Sequence, residues 1–173
     1  HNTALPNLPC FNNQLTTLDV SANTAITSLL CSNNQLTTLD LTGLNELGKG
    51  SWGVSLSPQT SQIPVAKRGE AAYELDLKTL AKGKPLTAIT LNGTILDPKA
   101  YEKMRDTAPT SLQYTCGTGS SVAGAETMEV TANGFDYSYP IGVKAEGNGS
   151  ISWEGKPAVN EEFWVPENST PTF

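Results

Sequence analysis

Apolar positions in the first 47 residues recur in a fixed order. Leu5, Leu8, Cys10, Asn13 and Leu15 follow L-x-x-L-x-C-x-x-N-x-L, and Ile26, Leu29, Cys31, Asn34 and Leu36 repeat it. The stretch CFNNQLTTLDV at 10–20 returns as CSNNQLTTLDL at 31–41, an offset of 21 residues. The same template is nested inside each unit, at Leu15, Leu18, Val20 and Asn23. It starts once more at Leu36, Leu39 and Leu41, where Leu44 then replaces the expected Asn. Alternation with a period of two predicts short strands that turn Leu8 with Cys10, and Leu29 with Cys31, inward. The Asn that follows each strand turns in at a corner, where its amide can bond backbone groups that have no ladder partner. L-x-x-L spacing also suits a helix, but the dense Asn, Ser, Thr and β-branched neighbours favour strands and turns. Coils stacked at this period place Asn13 over Asn34, Cys10 over Cys31 and Asp19 over Asp40.

The repeat stops at Leu47, and Gly48-Lys-Gly-Ser-Trp-Gly53 changes the composition. Strands are predicted at 52–57, 62–66, 71–77, 86–91, 111–116, 126–131, 135–145, 149–154 and 161–165. Asp97-Pro98 and the following residues read as an N-cap, a proline at the first helical position and about two helical turns. Closely spaced strands with Gly and Pro turns predict a β-sandwich. The expected fold is therefore mainly β: coils over 1–47, then a sandwich-like domain over 48–173 with one short helix and a linker-like tail.

Two complete turns are few for a stack in which each coil is buried only by its neighbours. The pattern also opens partway through a unit, with His1 in the place of Ala22. Further repeats upstream, or some other cover, are expected over Leu5, Leu8, Leu15 and Leu18. Pairing of two copies through this end is one such cover.

Composition narrows the function. The chain has 173 residues and a net charge of −6. It has no Lys/Arg cluster, so nucleic acid is not an expected partner. No apolar run reaches the length of a membrane span, so membrane insertion is not expected. Cys10, Cys31 and Cys116 form neither a CxxC pair nor an even set, and read as small core hydrophobes. His1 is the one histidine. No HExxH or GxSxG motif is present. Gly48 to Gly53 spell GxGxxG, but between a coil and a strand-like run rather than between a strand and a helix, so they read as a turn. Neither an enzyme activity nor a cofactor or metal is expected. Asp19 and Asp40, stacked about 5 Å apart, could share a cation, although solvation is the simpler expectation.

The first 47 residues resemble the leucine-rich-repeat family, in the short 21-residue subtype of internalin-like bacterial surface proteins. The resemblance rests on LPNLPCFNNQL, LTTLDVSANTAI, ITSLLCSNNQL and LTTLDLTGL. Segments such as YELDL and LQYTCGTG look more loosely like the immunoglobulin-like β-domain that follows such repeats. The resemblance implies a repeat solenoid and a secreted or surface-exposed binding or adhesion module for a protein or glycan. A structural stalk within a larger protein is the alternative, and an accessory domain of a polysaccharide-degrading enzyme ranks below both. The outward strand positions Asn7, Pro9, Phe11, Ser28, Leu30 and Ser32 form the expected ligand face, with Pro9 and Leu30 stacked beside Phe11. Among the later aromatics, Trp52, Tyr73, Tyr101, Tyr114, Tyr137, Tyr139 and Trp153 included, core packing is the expected role, with sugar stacking as the alternative.

Overall fold

The computed structural model describes residues 4–68, 72–101, 107–142, 152–153, 156–157 and 162–166. The chain is mainly β. Three short strands, β1 (Asn7–Pro9), β2 (Ser28–Leu30) and β3 (Val54–Ser55), form a parallel sheet in that order. Their register keeps the 21-residue repeat: Asn7 pairs with Ser28, Leu8 with Leu29 and Pro9 with Leu30. Leu29 then pairs with Val54 and Leu30 with Ser55. The parallel sheet thus runs beyond residue 47, where the sequence reading had set a domain boundary. The third strand comes 25 residues after the second, because the loop 48–53 is inserted between them.

The nested template explains the interior. Leu29, Cys31, Leu36, Leu39 and Leu41 are each 0–1% exposed. Of their counterparts one coil earlier, Leu8, Cys10, Leu15 and Leu18 are only partly buried, whereas Val20, the counterpart of Leu41, is 1% exposed. Among the described residues the second coil is covered on both sides and the first on one. Both corners turn through a left-handed Asn, Asn12 and Asn33, each with φ 54°, a conformation that asparagine tolerates better than most residues.

The chain passes from coil to sheet without a linker. After Leu56 and the cis Ser57–Pro58 bond, Gln59 bridges to Asn34 in parallel and is already the first residue of β4 (Gln59–Lys67). β4 alternates strictly, burying Gln59, Ser61, Ile63 and Val65, the period expected of a strand with one buried face. It joins β5 (Tyr73–Glu74), β6 (Leu86–Leu91), β7 (Thr94–Leu96), β8 (Leu112–Gly117), β9 (Thr127–Gly142) and β12 (Glu162–Pro166). The order is β5-β4-β9-β8-β6-β7, with β12 also on β9. One helical turn, α1 (Leu77–Leu80), is capped by Asp76, whose side chain accepts from the Thr79 N–H at 3.0 Å. A two-stranded ribbon links β10 (Ser152–Trp153) and β11 (Lys156–Pro157).

β9 organises this sheet. Its first part pairs antiparallel with β8, and its last part, Ser138–Gly142, pairs antiparallel with β12. From Val130 to Ser138 its other edge runs parallel to β4, with a register shift at Ser61/Gln62. Gly134 lies at that shift, and a Cβ there would meet the Gln62 amide at 2.5 Å. Sequence reading divided β9 into two strands at this glycine. It also extended a strand over 71–77, where the chain leaves β5 at Glu74 and enters α1. Of the helix expected after Asp97, residues 98–100 form a turn in which Asp97 accepts from the Lys99 N–H at 2.9 Å; the rest falls largely outside the described residues. The predicted sandwich requires two facing sheets. The described strands beyond the coils form one curled sheet and the β10–β11 ribbon.

Candidate functional site

The outward side of the parallel sheet follows from register. Columns of equivalent positions run Asn7–Ser28–Gly53, Pro9–Leu30–Ser55 and Phe11–Ser32–Ser57. Pro9 and Phe11 are exposed, the latter by 46%, while Asn7, Leu30 and Ser32 are half-buried. The ladder bond from the Cys10 N–H to the Leu30 carbonyl, 2.8 Å, and that from Asn12 N–H to Ser32, 3.1 Å, hold these side chains at fixed spacing. The structure therefore brings Pro9, Leu30, Phe11 and Ser32 together, with Asn7 at their margin.

Ser28 is a correction. It is fully buried, because the inserted loop folds back over it. The Gly48 and Gly50 N–H groups donate to the Thr27 carbonyl at 2.8 and 3.1 Å. A Cβ on Gly50 would stand 2.1 Å from Ser28 Oγ. Among the described residues the hydroxyl itself has no hydrogen-bond partner. Nothing in the repeat pattern signals this cover, since the loop is absent between the first two strands. The same loop presents Trp52, 54% exposed, two residues before β3. Sequence reasoning had assigned the later aromatics mainly to the core. Tyr101 and Tyr114 do lie there, donating to the carbonyls of Leu75 at 2.6 Å and Thr37 at 2.7 Å. Tyr73 and Tyr137 meet edge to face, 5.9 Å between centroids. The side chains of Tyr139 and Trp153 fall outside the described residues.

On the return side of the coils, residues 16–19 with Ser21, and 37–40 with Thr42, line an open cleft of about 470 Å³ together with Lys82 and Lys84. Asp40 meets Lys84 Nζ at 2.7 Å and accepts from the Thr42 N–H at 2.9 Å. These bonds, that to Lys84 foremost, hold its carboxyl down at about 2. Asp19 accepts from the Ser21 N–H at 2.9 Å, and its hydrogen bonds with Ser21 lower its pKa, with a smaller contribution from the Lys82 charge. The stacked carboxylates are thus opposed by lysines from the turn between α1 and β6. Among the described residues no group of three or more His, Cys, Asp or Glu side chains is arranged to hold a metal.

Cys31 and Cys116 are sunk in the core and Cys10 is half-buried beside it. Burial, with Cys10 alongside, pushes Cys31 up to about 12. Burial also raises Cys10 and Cys116. All three are free and, with their pKa values raised, sit in the protonated form at neutral pH.

No protein-family model and no curated protein matches the chain. Among solved structures, the chain is similar to the functional domain of InlJ from Listeria monocytogenes, which includes a cysteine ladder. Identity is 20% and the TM-score 0.40, over 77% of this chain and 34% of that one. The chain thus spans about a third of that structure. No described helix is long and apolar enough to cross a membrane.

Proposed function

We propose that this chain is a non-catalytic binding module of an extracellular or cell-surface protein, bacterial in type. The stacked coils are read as a short leucine-rich-repeat solenoid. The sheet is read as an immunoglobulin-like body, in which β9 changes partner from β8 to β12 as strands do when they serve two layers. The single observation that carries the proposal is the pairing of Pro9 with Leu30 beside the exposed Phe11. Apolar groups displayed on a hydrogen-bonded ladder are preorganised, so a protein or glycan ligand meets them at little conformational cost. Capture from panels of surface proteins and oligosaccharides tests it. Phe11→Ser and Leu30→Ser are expected to abolish capture while leaving the melting temperature nearly unchanged. Capture that persists in both variants removes this face from consideration.

A structural spacer is the second reading. The strand that leaves the last coil corner is itself β4, and a junction without slack suits a stalk. A ligand screen that finds nothing, with an intact fold, favours it.

A further inference from the structure

The chain carries the sequence Thr-Thr-Leu-Asp-x-(Ser/Thr) twice, at 16–21 and 37–42. The second copy is occupied by the turn that follows α1. Thr38 Oγ1 donates to the Ala81 carbonyl at 3.2 Å. Three residues on from Ala81, Lys84 Nζ donates to Asp40 at 2.7 Å and to Thr42 Oγ1 at 3.2 Å. Lys84 is drawn in, its side chain only 18% exposed. The turn is closed by the Lys84 N–H on the Ala81 carbonyl, 2.9 Å. This is a complete recognition event: a hydroxyl takes a carbonyl, and a carboxylate with a neighbouring hydroxyl takes an ammonium.

The first copy offers the same groups, one coil away, to the open cleft. Thr17, Asp19 and Ser21 stand at the positions of Thr38, Asp40 and Thr42, and all three are exposed. Asp19 is oriented as Asp40 is, by the N–H two residues on, 2.9 Å away in each case. We propose that Thr17, Asp19 and Ser21 form a binding site for a lysine-bearing turn of a partner polypeptide. That turn has the chemistry of Ala81–Lys84: a carbonyl for Thr17 and, three residues later, an ammonium for Asp19 and Ser21. The site is separate from the Pro9–Leu30–Phe11 face and does not depend on it. An exposed ion pair alone contributes little, so the neighbouring hydroxyl contacts are what make the site selective. Lys82, whose charge already acts on Asp19, competes with the incoming ammonium.

The test uses the full chain and a cyclised peptide carrying residues 80–85, followed by amide NMR shifts. Shifts are expected to centre on Thr17, Asp19 and Ser21. Replacing the second lysine of the peptide by norleucine weakens binding about tenfold, the loss of one charge-assisted contact. Asp19→Asn weakens it similarly and Lys82→Ala strengthens it. Should Asp19→Asn fail to fold, the norleucine peptide on the unaltered chain and Thr17→Val decide the question. Equal binding of the norleucine peptide, or shifts elsewhere on the protein, overturns the proposal. A glucosamine oligomer that binds in an Asp19-dependent manner where the peptide does not also overturns it, by assigning the site to amino sugars.

Discussion

Gln59 repeats for Leu36 what Asn34 does for Leu15. Asn34 Oδ1 accepts from the Leu15 N–H at 3.0 Å, and its Nδ2 donates to the carbonyls of Cys10 and Cys31 at 2.9 and 3.0 Å. Gln59 Oε1 accepts from the Leu36 N–H at 3.2 Å, and its Nε2 donates to the carbonyls of Cys31 and Leu56 at 2.8 and 2.5 Å. Each amide joins its own coil to the one before, in a place where the backbone cannot bond itself. Asn34→Ala and Gln59→Ala each strand several buried polar groups and are expected to cost about 3 kcal/mol in urea unfolding. Among the described residues Asn13 bonds only the carbonyls of its own corner, Cys10 and Phe11, both at 3.1 Å and exposed. Asn13→Ala is expected to cost about 1 kcal/mol or less.

The buried hydroxyl of Ser28 gives a prediction of opposite sign. Among the described residues it is buried without a hydrogen-bond partner. Ser28→Ala is therefore expected to hold stability level or raise it by up to about 1 kcal/mol. Gly50→Ala pushes a methyl into Thr27 and Ser28 and is expected to cost about 1–3 kcal/mol. Paired thermal melts read both.

Acid acts on the contact between coil and sheet. The Asp40 carboxyl falls from 3.8 to about 2 on folding. Its contribution is complete above the unfolded value and is lost as pH falls through the folded one. The side chain is 64% exposed, so the contribution is discounted to a few tenths of a kcal/mol, about that of a surface pair. Lys84→Met is expected to flatten the pH dependence of stability between about pH 4 and pH 2. Urea midpoints measured across that range check it.

Alkali acts on the core. Cys31 rises from 9.0 to about 12 on folding. The stability tied to its neutral thiol is present below the unfolded value and declines as pH rises through the folded one. Below that range, a maleimide is expected to label Cys10, which is half-buried, well before Cys31 and Cys116, which are buried. Peptide mapping over time reads the order, and faster labelling of Cys31 than of Cys10 contradicts the stacked core.

The coil was legible because its constraint is periodic. Leu8, Leu29, Asn13 and Asn34 recur at one spacing, and each position has a single physical duty. The third strand was expected at 52–57, but its place in the stack was not legible by the same rule. Val54, Leu56 and Gln59 keep the spacing of Leu29, Cys31 and Asn34 among themselves, but the inserted loop delays them and Gln replaces Asn. V-x-L-x-x-Q was the available signal. The cover over Ser28 depends on how that loop folds back, which no local pattern encodes. The hairpin between β6 and β7 went unread, although Asn92-Gly93, with φ of 49° and 76°, is the dipeptide that such turns favour. The Asp40–Lys84 contact joins residues 44 apart, beyond the reach of periodicity. The cleft of Thr17 and Asp19 was therefore visible only as two stacked carboxylates.

Gln59 belongs at once to a coil corner and to the longest-paired edge of the sheet. A bend between the two halves would have to break its amide bonds along with the Ser61–Gln35 and Tyr114–Thr37 contacts beside them. Coil and sheet are consequently coupled through one side chain, and tension applied to one part is passed to the other through its amide bonds.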